Sequence, residues 1–212
     1  MVEVVYIELL LFGTSIYGIV NFSKLSTAFK YLLTLTIVAF FAEILGTILS
    51  YRIGTSYPSY HVLSILAIPL HTLIYSRLVK LNKLTLSLLF FTGAILMLTA
   101  LINTIFYQSM IRDFPSNNLI MLSLLTIILT LVTFLRMIKV PSDKPLKNQP
   151  IFWLNMGNFI FYNLTFFVFA FLNHFYNYYI NWIYLLIPLS SATMYTMYFL
   201  SIHTEIIRSN NG

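Results

Sequence analysis

Seven long apolar stretches, cut apart by short polar punctuation, decide what this sequence can fold into. Each is close to the ~20 residues that an α-helix needs to cross ~30 Å of hydrocarbon at about 1.5 Å per residue. Within lipid every backbone amide must find its partner inside the segment, so runs of this length read as transmembrane helices. They are placed at about 4–22, 30–50, 61–79, 84–107, 118–138, 150–173 and 180–203. The expected fold is an all-α, seven-transmembrane-helix bundle that forms a single membrane domain over residues 1–212. Composition points the same way. Hydrophobic residues make up 59% of the chain and charged residues only 8%, against roughly 25% charged in a soluble domain. A water-facing surface cannot be built from that. The first stretch lacks the basic leader and small-residue cleavage site of a removable signal peptide, so it is expected to remain as the first helix.

The charges set an orientation. Lys24 and Lys30 follow the first helix, Arg77, Lys80 and Lys83 the third, Arg136, Lys139, Lys144 and Lys147 the fifth, and Arg208 lies in the tail. Only Arg52 and Arg112 fall on the other side. Short cytoplasmic loops retain positive charge during insertion, so the N-terminus is expected outside and the C-terminus in the cytoplasm, in a cell (inner) membrane. Tyr51, Tyr57, Tyr60, Tyr107, Tyr176, Tyr178, Tyr179 and Trp182 gather near the outer helix ends. They read as an interfacial aromatic belt in preference to a cage for a cationic ligand. Basic residues confined to helix ends also argue against nucleic acid as a partner, because that would want them on one exposed face.

Ionisable side chains sunk in lipid are costly, and each is a functional candidate that should turn toward the bundle interior. Glu43 falls about 10 Å below the outer end of the second helix, His71 about 15 Å into the third, and Glu8 about 6 Å into the first. Two carboxylates and an imidazole at such depths could meet and titrate as a coupled set that holds or passes a proton. The alternative is that each is hydrogen-bonded to neighbouring hydroxyls and serves packing. Ser64, His71 and Tyr75 share one face of the third helix, and Asn155, Asn158, Tyr162 and Thr165 one face of the sixth. Ser123, Thr126, Thr130 and Thr133 repeat the rhythm on the fifth, where they read as interhelical glue. The candidate ligand- or proton-binding set is therefore Glu43, His71, Glu8, Tyr75, Asn155, Asn158 and Tyr162.

Several chemistries are excluded or disfavoured. The chain has no cysteine, which removes disulfides and thiolate chemistry. Of its four histidines, His61 and His174 are expected at the outer boundary, His71 near the middle and His203 at the cytoplasmic end. That spread does not suit a zinc hydrolase, and no catalytic residue, metal or cofactor is expected. The last helix carries no lysine for a retinal Schiff base. Ile68-Pro69-Leu70 and Ile187-Pro188-Leu189 form a faint internal echo, of the kind two parallel three-helix halves would give.

The runs Phe41-Ala42-Glu43-Ile44-Leu45-Gly46 and Phe152-Trp153-Leu154-Asn155-Met156-Gly157, with Pro69-Leu70-His71 inside segment 60–75, resemble short seven-helix membrane proteins of the Bacteroidota. The resemblance spans nearly the whole chain and implies the fold but no activity or catalytic residue. The leading expectation is a binding or transport-type module with a polar cavity for a proton, an ion or a small polar ligand. Its alternatives are a non-catalytic subunit that recruits a partner through Arg77, Lys80, Lys144 and Lys147 or oligomerises as a pore, and an intramembrane hydrolase.

Overall fold

A computed structural model describes residues 2–79, 81–142, 145–170 and 181–210, and among them it holds seven α-helices and no strand. The helices are α1 (Val2–Val20), α2 (Thr27–Ile53), α3 (Tyr57–Leu78), α4 (Lys83–Ile102), α5 (Ser116–Lys139), α6 (Pro150–Ala170) and α7 (Asn181–Asn210). A π-helical turn, Asn103–Tyr107, continues α4. Five helices, α2 to α6, are long and apolar enough to cross a membrane.

The hydropathy pattern located every helix but misjudged several ends, for local reasons. α2 runs on to Ile53 because Gly54, at φ 78°, can take the left-handed turn that lets its N–H reach the Ser50 carbonyl at 3.1 Å. α3 begins at Tyr57, one turn before the expected His61, with Pro58 in its first turn where a missing N–H costs nothing. α7 continues through Glu205 and Arg208 to Asn210, so these charges sit on a helix and not in a tail. His174, Tyr176, Tyr178, Tyr179, Lys80 and Lys144 lie outside the described residues.

α2, α3, α5, α6 and α7 close a ring, each packing on the next and α7 packing back on α2. α1 lies outside that ring against α2 and α7, and α4 lies outside it against α3 and α5. α4 buries only Gly93 and Ala100 and leaves Leu84, Leu88, Phe91, Ile95 and Leu98 exposed. Apolar helices gain little by leaving lipid for each other, so close contact depends on small residues that let backbones approach. A Cβ on Gly46 would come within 2.8 Å of Ser59 Oγ on α3, and one on Gly93 within 2.6 Å of Thr72 Oγ1. At Gly157 it would meet Met197 Cβ at 2.8 Å and the Met194 carbonyl oxygen at 3.2 Å on α7. These glycines fix the α2–α3, α3–α4 and α6–α7 pairs.

The α5 hydroxyls behave differently from the expected interhelical glue. Thr126, Thr130 and Thr133 each donate to a carbonyl of their own helix, those of Leu122, Ile127 and Leu129, at 2.7–2.9 Å. A hydroxyl one turn above a carbonyl satisfies itself without waiting for a neighbour.

Candidate functional site

The ring encloses a cavity of about 580 Å³. Helical spacing builds its walls: Leu35, Ala39 and Glu43 recur every fourth residue on α2, and Ile187, Ser191, Met194, Tyr195 and Tyr198 share one stripe of α7. α3 contributes Tyr57, Tyr60, Leu63, Ser64 and Ala67, and α6 contributes Phe161, Tyr162, Thr165, Val168 and Phe169. Leu119 and Leu122 of α5 and Ile7 of α1 fill the gaps. The cavity reaches the bundle end formed by the C-terminus of α2, the N-terminus of α3 and the α4–α5 loop, where Phe114 faces it. There the Phe114 ring meets Tyr57 edge-on at 5.6 Å, Tyr60 at 5.9 Å and Phe169 in a stack at 5.0 Å.

Glu43 supplies the carboxylate of this cavity. Its Oε2 accepts a hydrogen bond from the Tyr60 hydroxyl at 3.1 Å. Glu8 does not line the cavity; its Oε1 accepts from Thr47 Oγ1 at 2.8 Å, one turn further along α2. His71 lies deeper. Fully buried, it stands behind Tyr162, whose hydroxyl is 2.8 Å from Nε2 and whose ring meets the imidazole edge-on at 5.2 Å. Glu43, Glu8 and His71 are thus each held by a different hydroxyl.

Beneath the cavity runs a second arrangement that the polar stripes foreshadow. Tyr75 Oη donates to Asn155 Oδ1 at 2.9 Å and accepts from Asn158 Nδ2 at 2.9 Å, while the Tyr198 hydroxyl donates to Asn158 Oδ1. All four side chains are buried. Tyr75, Asn155, Asn158, Tyr162 and His71 are therefore gathered between α3, α6 and α7, over about two helical turns. Tyr162 and Tyr198 belong both to this layer and to the cavity wall. His71 Nδ1, Asn155 Nδ2 and Thr165 Oγ1 are buried with no hydrogen-bond partner among the described residues. Buried amide and imidazole nitrogens left open are costly, so this layer keeps unused hydrogen-bonding capacity close to the cavity.

A third cluster holds the mouth. His61, expected at the boundary, is fully buried, with Nδ1 2.9 Å from Thr104 Oγ1 and Nε2 3.1 Å from the Asp113 carbonyl oxygen. Asn118 Nδ2 donates to Thr104 Oγ1 at 3.0 Å, and Asn103 Nδ2 donates to Asn118 Oδ1 at 2.9 Å and Gln108 Oε1 at 2.7 Å. Gln108 Nε2 in turn donates to the Phe114 carbonyl at 3.1 Å. This web ties the loop to α3 and α5 and so fixes Phe114 over the cavity. Asn118 falls at the expected start of the fifth helix and Asn103 inside the expected fourth; only the fold shows them meeting.

At the opposite end Glu205 is buried, paired at 2.8 Å with Arg208, and its Oε1 is 3.4 Å from the Ser26 N–H. A smaller cavity of about 310 Å³ beside it is lined by Ser26, Thr27, Arg77 and Arg208 among others. Lys147 is exposed, and its carbonyl accepts from Trp153 Nε1 at 2.8 Å. Among the described residues no three His, Asp or Glu side chains converge in a way that could hold a metal ion. No family model matches the chain, and no curated protein or solved structure is significantly similar to it.

Proposed function

We propose that the chain is a multi-pass inner-membrane binding or transport-type module, with all seven helices spanning, the N-terminus outside and the C-terminus cytoplasmic. The observation that carries the reading is the cavity between α2, α3, α5, α6 and α7, which has apolar walls and a few convergent polar groups. Ligand sites have that character and commonly measure about 300–1,000 Å³. A polar cavity for a proton, an ion or a small polar molecule was the expectation; the walls favour a ligand with an apolar body and one polar head. Most basic residues of the described loops and helix ends lie at the far end, with only Arg52 and Arg112 at the mouth, which supports an outward-facing mouth. α1 has 19 residues, within the range of about 17–25 that spanning helices use, and α7 has 30, more than enough at about 1.5 Å per residue to pass ~30 Å of hydrocarbon.

Cysteine accessibility tests this reading in a chain that has no background thiol. Single cysteines replacing Leu63 or Ser191, which line the cavity, should react with a membrane-impermeant thiol reagent added outside. A cysteine replacing Leu124, exposed on the bundle surface, should not. Failure of both cavity positions to react, in protein that is folded and inserted, would remove the proposal.

A second reading rests on the cytoplasmic end, where Arg77 and Arg208 line a cavity beside the N-terminus of α2. A non-catalytic subunit that docks an anionic segment of a partner there would lose association on replacement of Arg77 and keep it on replacement of Glu43. The exposed apolar face of α4 is compatible with lipid or with a second copy of the chain.

A further inference from the structure

Among the described residues the cavity walls carry one carboxylate and no lysine, arginine or histidine, and from this we infer that the ligand is a lipophilic cation, an amine or quaternary ammonium on an apolar body, with Glu43 as its counter-ion. The inference rests on reading the cavity as a ligand site and adds the class of molecule that it takes.

Charge comes first. Glu43 Oε2 has the Tyr60 hydroxyl as its hydrogen-bond partner, and among the described residues no basic side chain pairs with it. A carboxylate withdrawn from water without a counter-charge is expensive, and buried charges are ordinarily paired. A cation entering the cavity supplies the missing partner; an anion would meet the carboxylate with nothing to offset it. Glu8, bonded to Thr47 one turn from Glu43 on α2, adds negative charge on the same flank.

The walls then select among cations. Tyr57, Tyr60, Phe114, Tyr162, Phe169 and Tyr195 all border the space. Aromatic faces attract ammonium groups within about 6 Å of the ring centroid, most strongly where water is excluded. A small hydrated inorganic ion cannot use such walls, since it would lose its water for a single carboxylate and a few hydroxyls. An alkyl or aryl ammonium ion places its charge at Glu43 and its body against Leu35, Ala39 and Met194. The outer tyrosines that read as a membrane belt then serve two roles, with Tyr57 and Tyr60 turned into the mouth.

The test compares three probes of similar shape on the purified protein in detergent: phenyltrimethylammonium, its neutral isostere tert-butylbenzene, and benzenesulfonate. Saturable binding is read by competition against a tritiated sample of each and by thermal stabilisation. The cation should bind at least tenfold more tightly than the neutral probe, with benzenesulfonate weakest. In Glu43→Gln the cation should lose at least tenfold while tert-butylbenzene is unchanged, which also reports that the variant cavity is intact. Equal affinity of cation and neutral probe in the unaltered protein, which needs no variant, would overturn the inference and leave the cavity as a ligand site. Absence of saturable binding by any probe would remove the ligand site and the inference together.

Discussion

The Tyr162 hydroxyl stands 2.8 Å from His71 Nε2, while the ring of the same tyrosine forms part of the cavity wall. One side chain thus joins the space between the helices to the buried polar layer beneath it. A ligand that pushes on this ring must either keep that hydrogen bond or break it. Tyr198 makes the same connection on α7, through Asn158 to Tyr75.

Removing that hydroxyl leaves an imidazole nitrogen buried and unpaired. Tyr162→Phe should therefore destabilise the protein, and a double-mutant cycle with His71→Ala should give a coupling of about 1 kcal/mol, the scale of hydrogen bonds measured between membrane helices. Unfolding in mixed micelles is the measurement. Strict additivity of the two single losses would show that the two groups do not interact.

Gly157 separates packing from chemistry. Its missing Cβ leaves room for Met197 Cβ and the Met194 carbonyl, and the carbonyl belongs to backbone that cannot step aside. Gly157→Ala should cost about 1–3 kcal/mol through overpacking and shift the α7 stripe that carries Met194 and Tyr195. Gly13, exposed on α1, would present a Cβ to nothing within 4 Å among the described residues, so Gly13→Ala should be neutral or stabilise by up to about 1 kcal/mol. The two substitutions make the same chemical change, and thermal unfolding of both decides whether close approach of α6 and α7 matters.

The mouth gives a dynamic prediction. Asn118→Ala removes the donor to Thr104 and the acceptor from Asn103, and leaves Gln108 with fewer fixed neighbours. Amide exchange across residues 108–116 should accelerate while that of α6 stays unchanged, because loop stability here comes from side-chain hydrogen bonds. Equal protection in the variant would show that the backbone alone holds the loop.

What the sequence revealed follows from which interactions are periodic. Lipid imposes a length and a polarity on every span, so the α2 to α6 segments stand out as hydropathy, and the three- and four-residue spacing of Asn155, Asn158 and Tyr162 brings them onto the face that meets Tyr75 and His71. The cavity itself was less legible. It arises where residues on five different helices fail to fill a space, and no local pattern encodes an omission. Tyr60, read as belt, became the partner of Glu43 only because α3 starts a turn early. Glu205 lies two residues past the last position that hydropathy gives to the seventh helix, so only the extra turn of α7 reveals a carboxylate buried beside Arg208.

The orientation remains the most direct claim to check, and the absence of cysteine makes it clean. Ser109 lies in the exposed α4–α5 loop, on the side of Arg52 and Arg112, whereas exposed Asn148 neighbours Lys147 in the α5–α6 connection. If basic residues were retained on the cytoplasmic side during insertion, Ser109→Cys should react with an impermeant maleimide in intact cells and Asn148→Cys only after permeabilisation. The reverse pattern would turn the cavity mouth toward the cytoplasm, and a ligand would then have to arrive from within the cell. Labelling of both positions in intact cells would mean that the two loops share a side, which an odd number of crossings between them does not permit; α5 would then not span.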